Sequence, residues 1–162
     1  VKTLPGIEES YPDTLSGEEI PVFIACEKAD AYRQTMHSDE LIITADTIVW
    51  LDGLVMGKPE DEEDARRMLR CLSGKTHQVI TGVCLTTTEF QKSFATVTDV
   101  TFAELTEEEI DYYVQKYKPM DKAGSYGIQE WIGFVGVEGI TGSYFNVMGL
   151  PIQRLYKELS KL

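Results

Sequence analysis

An aspartate interrupts an apolar stretch early in the sequence. Residues 41–50 have the composition of a strand that is buried on both faces, yet Asp46 lies in the middle of the run. An isolated carboxylate is costly in such a place. Asp46 is therefore either a hydrogen-bonded structural group or a group that the strand presents to something requiring negative charge. On this residue alone, both interpretations stay open.

Two lysines also occupy positions that raise the same question. Lys28 lies near the apolar stripe of a predicted helix, between Ile24 and Tyr32, where its stem can be buried while its ammonium group stays in water. Lys58 lies in a Gly-Lys-Pro sequence, which is usually a solvated turn. Each lysine has an ordinary explanation when it is considered separately.

Together, one carboxylate and two lysines match the needs of phosphate chemistry that uses no covalent nucleophile. Lys28 and Lys58 would neutralise charge on a polyphosphate, and Asp46 would hold a divalent metal ion or deprotonate a water molecule. Oxygen ligands and the phosphates themselves suit Mg²⁺. These residue types therefore indicate a phosphoryl-group site.

Helices and strands must bring these residues together, and apolar periodicity with turn signals predicts both kinds of element. In chain order we expect a short strand at 1–5, a helix over 21–36, a hairpin over 41–58 that turns at Asp52-Gly53, a helix over 60–72, two β segments over 76–87 and 93–105, a helix from Thr106 to 118, a glycine-rich stretch over 120–151 and a helix from Pro151. The sum is an α/β protein with a mixed sheet.

Composition limits the possible functions. The 162 residues, 43% of them hydrophobic, suffice for a single domain over 1–162. The net charge of −12 argues against binding to nucleic acid polymers or anionic membranes unless basic residues cluster. The adjacent pair Arg66-Arg67 diverges on a helix and is better read as a solvated face. We identify no apolar run of the about 20 residues that a membrane span needs and no signal peptide.

Cysteine and histidine residues show no metal-binding pattern. Cys26, Cys71 and Cys84 form no C-x-x-C motif and lie in apolar segments, where small buried thiols are ordinary, so a reducing cytoplasm fits best. His37 and His77 lie far apart in the sequence, which gives a zinc site little support.

Four ordered blocks resemble the Maf proteins, nucleoside triphosphate pyrophosphatases historically linked to septum formation. The blocks are TADTIVWLDGLVMGKP (44–59), DEEDARRMLRCLSGKTHQVITGV (61–83), MDKAGSYGIQ (120–129) and GSYFNVMGLP (142–151). The resemblance implies an inosine-triphosphatase-like α/β fold, with an elongated mixed sheet flanked by helices and two lobes around a central cleft. It also implies hydrolysis of a nucleoside triphosphate to monophosphate and diphosphate, with Mg²⁺ or Mn²⁺, by a cytoplasmic homodimer.

By this resemblance the catalytic acid falls on Asp46, which would also bind the metal ion, and the phosphate-binding lysines fall on Lys28 and Lys58. An acidic residue near the start corresponds to Glu9, with Glu8 as an alternative register.

Base recognition is implied at two further positions. The subfamily that prefers dTTP and UTP has a threonine after the catalytic aspartate and a glutamine at the end of the G-I-Q turn, and Thr47 and Gln129 match it. A glutamine amide offers one donor and one acceptor to the N3–H and carbonyls of uracil and thymine. Asp121 and Lys122 would line the same cleft, although the sequence DKAG is equally typical of an ordinary turn.

The sequence departs from the family at its beginning. Maf proteins open with a strand and a Ser-x-Arg-Arg loop that enters a helix, and neither is present here. We therefore expect either an N-terminal truncation or the loss of the native start, and in either case this chain by itself could be inactive. The loop's absence would remove much of the family's positive charge for phosphate, and the lost strand could leave an unpaired sheet edge.

Three functions are compatible with these residues. The first is a pyrophosphatase acting on dTTP and UTP, with modified pyrimidine nucleotides as possible substrates. The second is a non-enzymatic, nucleotide-binding regulator linked to cell division. The third is a purine-selective hydrolase, which Thr47 and Gln129 disfavour. Ser143 and Asn146 match a family block too, but we interpret that segment mainly as the loop that caps the last helix.

Overall fold

A computed structural model describes residues 9–162. The short strand expected at 1–5 and the alternative register at Glu8 lie outside these residues. The helices are α1 (Glu19–Arg33), α2 (Glu62–Leu72), α3 (Glu107–Tyr117), α4 (Trp131–Gly136), α5 (Tyr144–Met148) and α6 (Ile152–Ser160), with 3-10 turns at Pro119–Asp121 and Ala123–Ser125. The strands are β1 (Ile42–Leu51), β2 (Leu54–Met56), β3 (Thr76–Thr86), β4 (Gln91–Phe102) and β5 (Val137–Thr141).

The strands form one five-stranded sheet in the order β2-β1-β3-β4-β5. The α/β class and the sheet flanked by helices are confirmed. All four described strand pairings are antiparallel, so the parallel pair of a mixed sheet does not occur within residues 9–162. Short turns between β1 and β2 and between β3 and β4 favour this arrangement, because a parallel neighbour needs a long crossover. The first of these turns is the predicted one, with positive φ at Asp52 and Gly53.

Strand β1 is buried on both faces only in its second half, where Ile48, Val49 and Leu51 are buried, whereas Ile43 near its start is 44% exposed, against the expectation from composition. Ile48 packs with Ile20 and Ile24 of α1, whereas Val49 on the opposite face belongs to the larger cluster that includes Leu69 of α2. Apolar side chains therefore hold helices on both faces of this strand, directly after Asp46 in the sequence.

Helix α1 approaches the sheet very closely at Gly82 of β3. A Cβ atom at this position would lie 2.3 Å from the backbone nitrogen of Val22, so only glycine allows the observed distance. A second contact between α1 and β3 joins Cys26 and Cys84, whose sulfur atoms lie 3.5 Å apart as free thiols. The glycine at position 82 thus allows α1 to pack closely on β3, and side-chain contacts hold it there.

Helix signals in the sequence are largely confirmed. The predicted capping box of α3 is present between Thr106 and Glu109. Helix α1 begins at Glu19, with Pro21 in its first turn, and ends at Arg33 rather than near residue 36. No helix within residues 9–162 is long and apolar enough to cross a bilayer.

The glycine-rich stretch 120–151 contains more regular structure than its sequence indicates. It forms the two 3-10 turns, α4, β5 and α5. Strand β5 pairs with the edge of β4 and was missed because it is short and contains a glycine.

Candidate functional site

Asp46 meets Lys28 and Glu9 where α1 crosses β1. The ammonium nitrogen of Lys28 lies 3.3 Å from Oδ1 of Asp46, 3.2 Å from Oε1 of Glu9 and 3.4 Å from the carbonyl oxygen of Ala45. Gly82 of β3 pairs with Asp46 across the sheet. One lysine thus bridges two carboxylates.

The ion cluster is only partly accessible to water. The Asp46 side chain is 9% exposed, against 22% for Lys28 and 47% for Glu9. Burial raises the pKa of Asp46, the positive charge of Lys28 lowers it and the charge of Glu9 raises it again, so the pKa lies above its ordinary value. Burial lowers the pKa of Lys28, but Asp46 and Glu9 raise it by more. Asp46 is therefore a stronger base than a free carboxylate, beside a firmly protonated lysine.

A cleft of about 330 Å³ opens above this cluster. It brings together every described residue named above for the site, namely Glu9, Lys28, Asp46, Thr47, Lys58, Asp121, Lys122 and Gln129. Their chemical roles remain predictions. An adjoining pocket of about 380 Å³ shares Asp46 and Lys58 and extends towards Tyr11 and Val55. The two pockets share Glu9, Asp46, Thr47, Lys58 and Ala123 in their walls.

Lys58 reaches the cleft because the exit from β2 is tied to the second 3-10 turn. The backbone nitrogen of Gly124 donates a hydrogen bond to the carbonyl of Gly57 at 3.1 Å. Gly124 has a φ of +70°, and a Cβ there would lie 2.7 Å from a methyl group of Val49. A glycine is thus required to bring this turn against the sheet beside Lys58.

Asp121 and Lys122 form the outer wall of the cleft. The ammonium nitrogen of Lys122 lies 3.2 Å from Asp121 and 3.8 Å from Glu130, and the Asp121 side chain is 77% exposed. A hydrogen bond from Lys122 lowers the pKa of Asp121. These two residues present one positive and one negative charge at the rim.

Gln129 lies on a loop that is held by hydrogen bonds to the Tyr113 hydroxyl. The phenol of Tyr113 donates to Oε1 of Glu130 at 2.7 Å and accepts from the backbone nitrogen of Gly127 at 3.0 Å. The side chain of Ile128 is buried beside the exposed Gln129. The loop is therefore fixed on both sides of Gln129, while Gln129 itself is exposed and lines the cleft.

Asn146, expected from the sequence in a loop that caps the last helix, ties α5 to β3 and β4. Its amide nitrogen lies within 3.2 Å of the carbonyls of Val79 and Thr96 and of the Thr98 hydroxyl, and its side chain is fully buried. The interpretation of GSYFNVMGLP as mainly a cap for the last helix is thus incomplete, because the segment forms α5 and lines the cleft through Val147, Met148 and Gly149. The burial of the Asn146 amide reveals this role, and the sequence alone cannot distinguish a buried asparagine from one in an exposed turn.

The available oxygen ligands suit a metal ion that arrives with phosphate. Asp46 and Glu9 are close enough to share Lys28, whereas no group of three or more His, Cys, Asp or Glu side chains in residues 9–162 could hold a metal ion. Mg²⁺ is commonly bound by one or two carboxylates together with substrate phosphates and water. The carboxylates fit that mode of binding and do not fit an all-protein cage.

Comparison with known proteins gives consistent results. Residues 2–162 match the family described as Maf-like protein. The chain is 80% identical over 162 residues to a Phocaeicola vulgatus protein named dTTP/UTP pyrophosphatase, covering 100% of this chain and 84% of that protein. Proteins with the same name from Bacteroides thetaiotaomicron and Porphyromonas gingivalis strain W83 are 67% and 53% identical, over 100% and 98% of this chain and 84% and 80% of their own lengths.

Proposed function

This chain belongs to the Maf family, and from that premise we propose that it is a pyrophosphatase that hydrolyses dTTP and UTP to the monophosphate and diphosphate. The names of its similar relatives support the activity and the substrates. The observation that carries the proposal is the position of Asp46, a poorly exposed carboxylate 3.3 Å from a lysine ammonium in an open cleft.

Asp46 acts as the general base in this proposal. It accepts a proton from the water whose oxygen attacks the α-phosphorus, and its raised pKa favours that transfer. The bond between the α-phosphorus and the oxygen bridging to the β-phosphorus breaks, and diphosphate leaves. Lys28 and Lys58 hold the phosphate chain as negative charge moves to the leaving group.

A divalent metal ion, Mg²⁺ or Mn²⁺, would be held by Asp46, with Glu9 as a supporting ligand, and when bound it would offset negative charge on the phosphates. Lys122 and Asp121 supply charge at the rim.

Thr47 and Gln129 recognise the base. Both line the cleft that contains Asp46, and an amide and a hydroxyl can together match the donor and acceptors of a uracil or thymine edge. Modified pyrimidine nucleotides that keep this edge fit the same recognition.

We infer a cytoplasmic homodimer that acts on free nucleotides. The free thiols of Cys26, Cys71 and Cys84 support a reducing compartment, and the family resemblance supports the dimer.

The first test is diphosphate release from dTTP, UTP, CTP, ATP, GTP and ITP with Mg²⁺ or Mn²⁺. It should be run on this chain and on a version extended at its N-terminus with the corresponding segment of the Phocaeicola relative. Turnover of dTTP and UTP by the extended version is the expected result. Saturable nucleotide binding without turnover in both versions would instead support a regulator, and preference for ITP or GTP would support the purine-selective alternative.

The second test is Asp46→Asn, which keeps the side-chain shape but removes the base. We expect kcat to fall about 10²–10⁴-fold. Asp52→Asn is the matched control, because Asp52 is an exposed turn residue with positive φ, where asparagine is well tolerated. Unchanged turnover in Asp46→Asn would show that another group is the base.

A further inference from the structure

Thr47 is joined to the interior of the protein by a short relay of hydroxyl groups. Its Oγ1 lies 2.8 Å from Oγ1 of Thr81, its partner across the β1–β3 pair. Oγ1 of Thr81 lies 3.3 Å from the carbonyl oxygen of Asn146, and Oγ1 of Thr47 lies 3.5 Å from the carbonyl oxygen of Gly149. Thr81 is completely buried and is not among the residues that line the cleft.

Counting protons limits how this relay can be arranged. Each hydroxyl has one proton and two lone pairs, and a carbonyl can only accept. If Thr81 donates to Asn146, Thr47 must donate to Thr81, and both Thr47 lone pairs remain free. If Thr81 donates to Thr47, Thr47 can donate to Gly149, and one lone pair remains free. In both arrangements Thr47 offers an acceptor to the cleft and keeps no proton for it.

Distance favours the first arrangement. Both arrangements use the 2.8 Å contact between Thr47 and Thr81. The first adds the 3.3 Å contact from Thr81 to the Asn146 carbonyl, whereas the second adds the 3.5 Å contact from Thr47 to the Gly149 carbonyl, which is long for a hydroxyl donor. The Asn146 carbonyl already accepts from the backbone nitrogen of Gly149 at 3.0 Å and has a second lone pair for Thr81. A Thr47 proton directed into the cleft would leave the buried Thr81 with one fewer bond, which is unfavourable.

We infer that Thr81 is a positioning residue for base selectivity: by taking up the Thr47 proton, it makes Thr47 a hydrogen-bond acceptor for the N3–H of uracil and thymine. This inference rests on the proposed function for its substrate class. N3 of cytosine carries no proton and is itself an acceptor. Its lone pair would therefore meet a lone pair of the Thr47 oxygen, and the two would repel each other. Thr81 thus selects between pyrimidines without touching the nucleotide.

The test is Thr81→Val, which keeps the side-chain shape and removes the hydroxyl. Thr47 can then turn its proton into the cleft, so the ratio of kcat/KM for UTP to that for CTP should fall about tenfold, the value of one hydrogen bond. The change should appear as a higher KM for UTP with kcat within about twofold, because the positions of Asp46 and Lys28 are unchanged. Thr81→Ser should keep the wild-type ratio.

A matched control lies on the same strand. Thr76 and Thr101 form another cross-strand hydroxyl pair at 2.8 Å, on an exposed part of the sheet away from the cleft residues. Thr76→Val should leave the UTP to CTP ratio unchanged. If Thr81→Val does not fold, Thr81→Cys fills a similar volume with a weaker donor and should give an intermediate ratio.

Binding separates this inference from the proposed function. If the wild-type protein hydrolyses neither nucleotide, the proposed function fails, and titration calorimetry with UMP and CMP decides the inference instead. A wild-type preference for UMP that is lost in Thr81→Val would support it. An unchanged preference in a folded Thr81→Val, in turnover or in binding, would overturn it.

Discussion

At the scale of single residues, the pKa of Asp46 depends on burial and on two charged neighbours. Burial raises the pKa, Lys28 lowers it and Glu9 raises it. A general base must be ionised to act, so the rate should fall as the pH falls through this pKa. The acidic limb of the pH–rate profile is therefore a direct report on the cluster.

Glu9→Gln should move that limb to lower pH. The substitution removes a negative charge that raises the pKa of Asp46 and keeps the side-chain size. The measurement is kcat/KM against pH for UTP. Glu18→Gln is the matched control because Glu18 is exposed and is not a cleft residue. A limb that stays in place would mean that Asp46 is not the group that titrates.

At the scale of secondary-structure elements, the site depends on how close α1 lies to the sheet. Lys28 belongs to α1 and Asp46 to β1, so their distance of 3.3 Å follows from the packing of the helix on the strands. Gly82 allows that packing because it carries no side chain at the point of closest approach.

Gly82→Ala should displace α1 and weaken the site. The added Cβ would lie 2.3 Å from Val22 N and 2.4 Å from the carbonyl carbon of Pro21, and backbone atoms cannot rotate away as a side chain can. We expect a loss of about 1–3 kcal/mol in the free energy of unfolding, with a higher KM as Lys28 moves from Asp46.

Urea denaturation and steady-state kinetics measure the two effects. Gly139→Ala is the control, since a Cβ in this strand position meets nothing within 4 Å. Equal stabilities for the two alanine variants would contradict the proposed role of close helix packing.

At the scale of the whole molecule, one buried histidine links stability to pH. His77 is 1% exposed and makes edge-to-face contacts with the rings of Phe102 and Tyr126, and its Nε2 lies 2.6 Å from the Tyr126 hydroxyl. Burial lowers the pKa of His77 to about 4. In the native protein the His77 imidazole therefore stays neutral at pH values where a histidine in the unfolded chain, with a pKa of about 6.5, takes up a proton.

This difference in the pKa of His77 makes the protein less stable at acidic pH. Between pH 6.5 and about 4 the unfolded state binds more protons, so the free energy of unfolding falls as the pH falls. One group should contribute a loss of about 3 kcal/mol across the window. His77→Gln should reduce the slope, and His37→Gln, which removes the other histidine at an exposed position, is the control. Urea denaturation at several pH values measures it, and parallel slopes for wild type and His77→Gln would refute the assignment.

The sequence by itself determined the local elements and the identity of the charged site residues. Apolar periodicity identified β1 and α2, and the Thr106–Glu109 capping box marked the start of α3, because each signal acts over only a few residues. Asp46 and Lys28 were recognisable because charged groups are unusual beside apolar runs. The family resemblance supplied Thr47 and Gln129.

Only the tertiary structure decided which groups support those residues. Thr81 and Asn146 are ordinary polar residues in the sequence, and their relay to Thr47 joins segments far apart along the chain. The pairings of β1 with β3 and of β4 with β5 were equally non-local. The physical reason is that the value of a buried hydroxyl or amide depends on the partner it meets, and the fold alone brings such partners together.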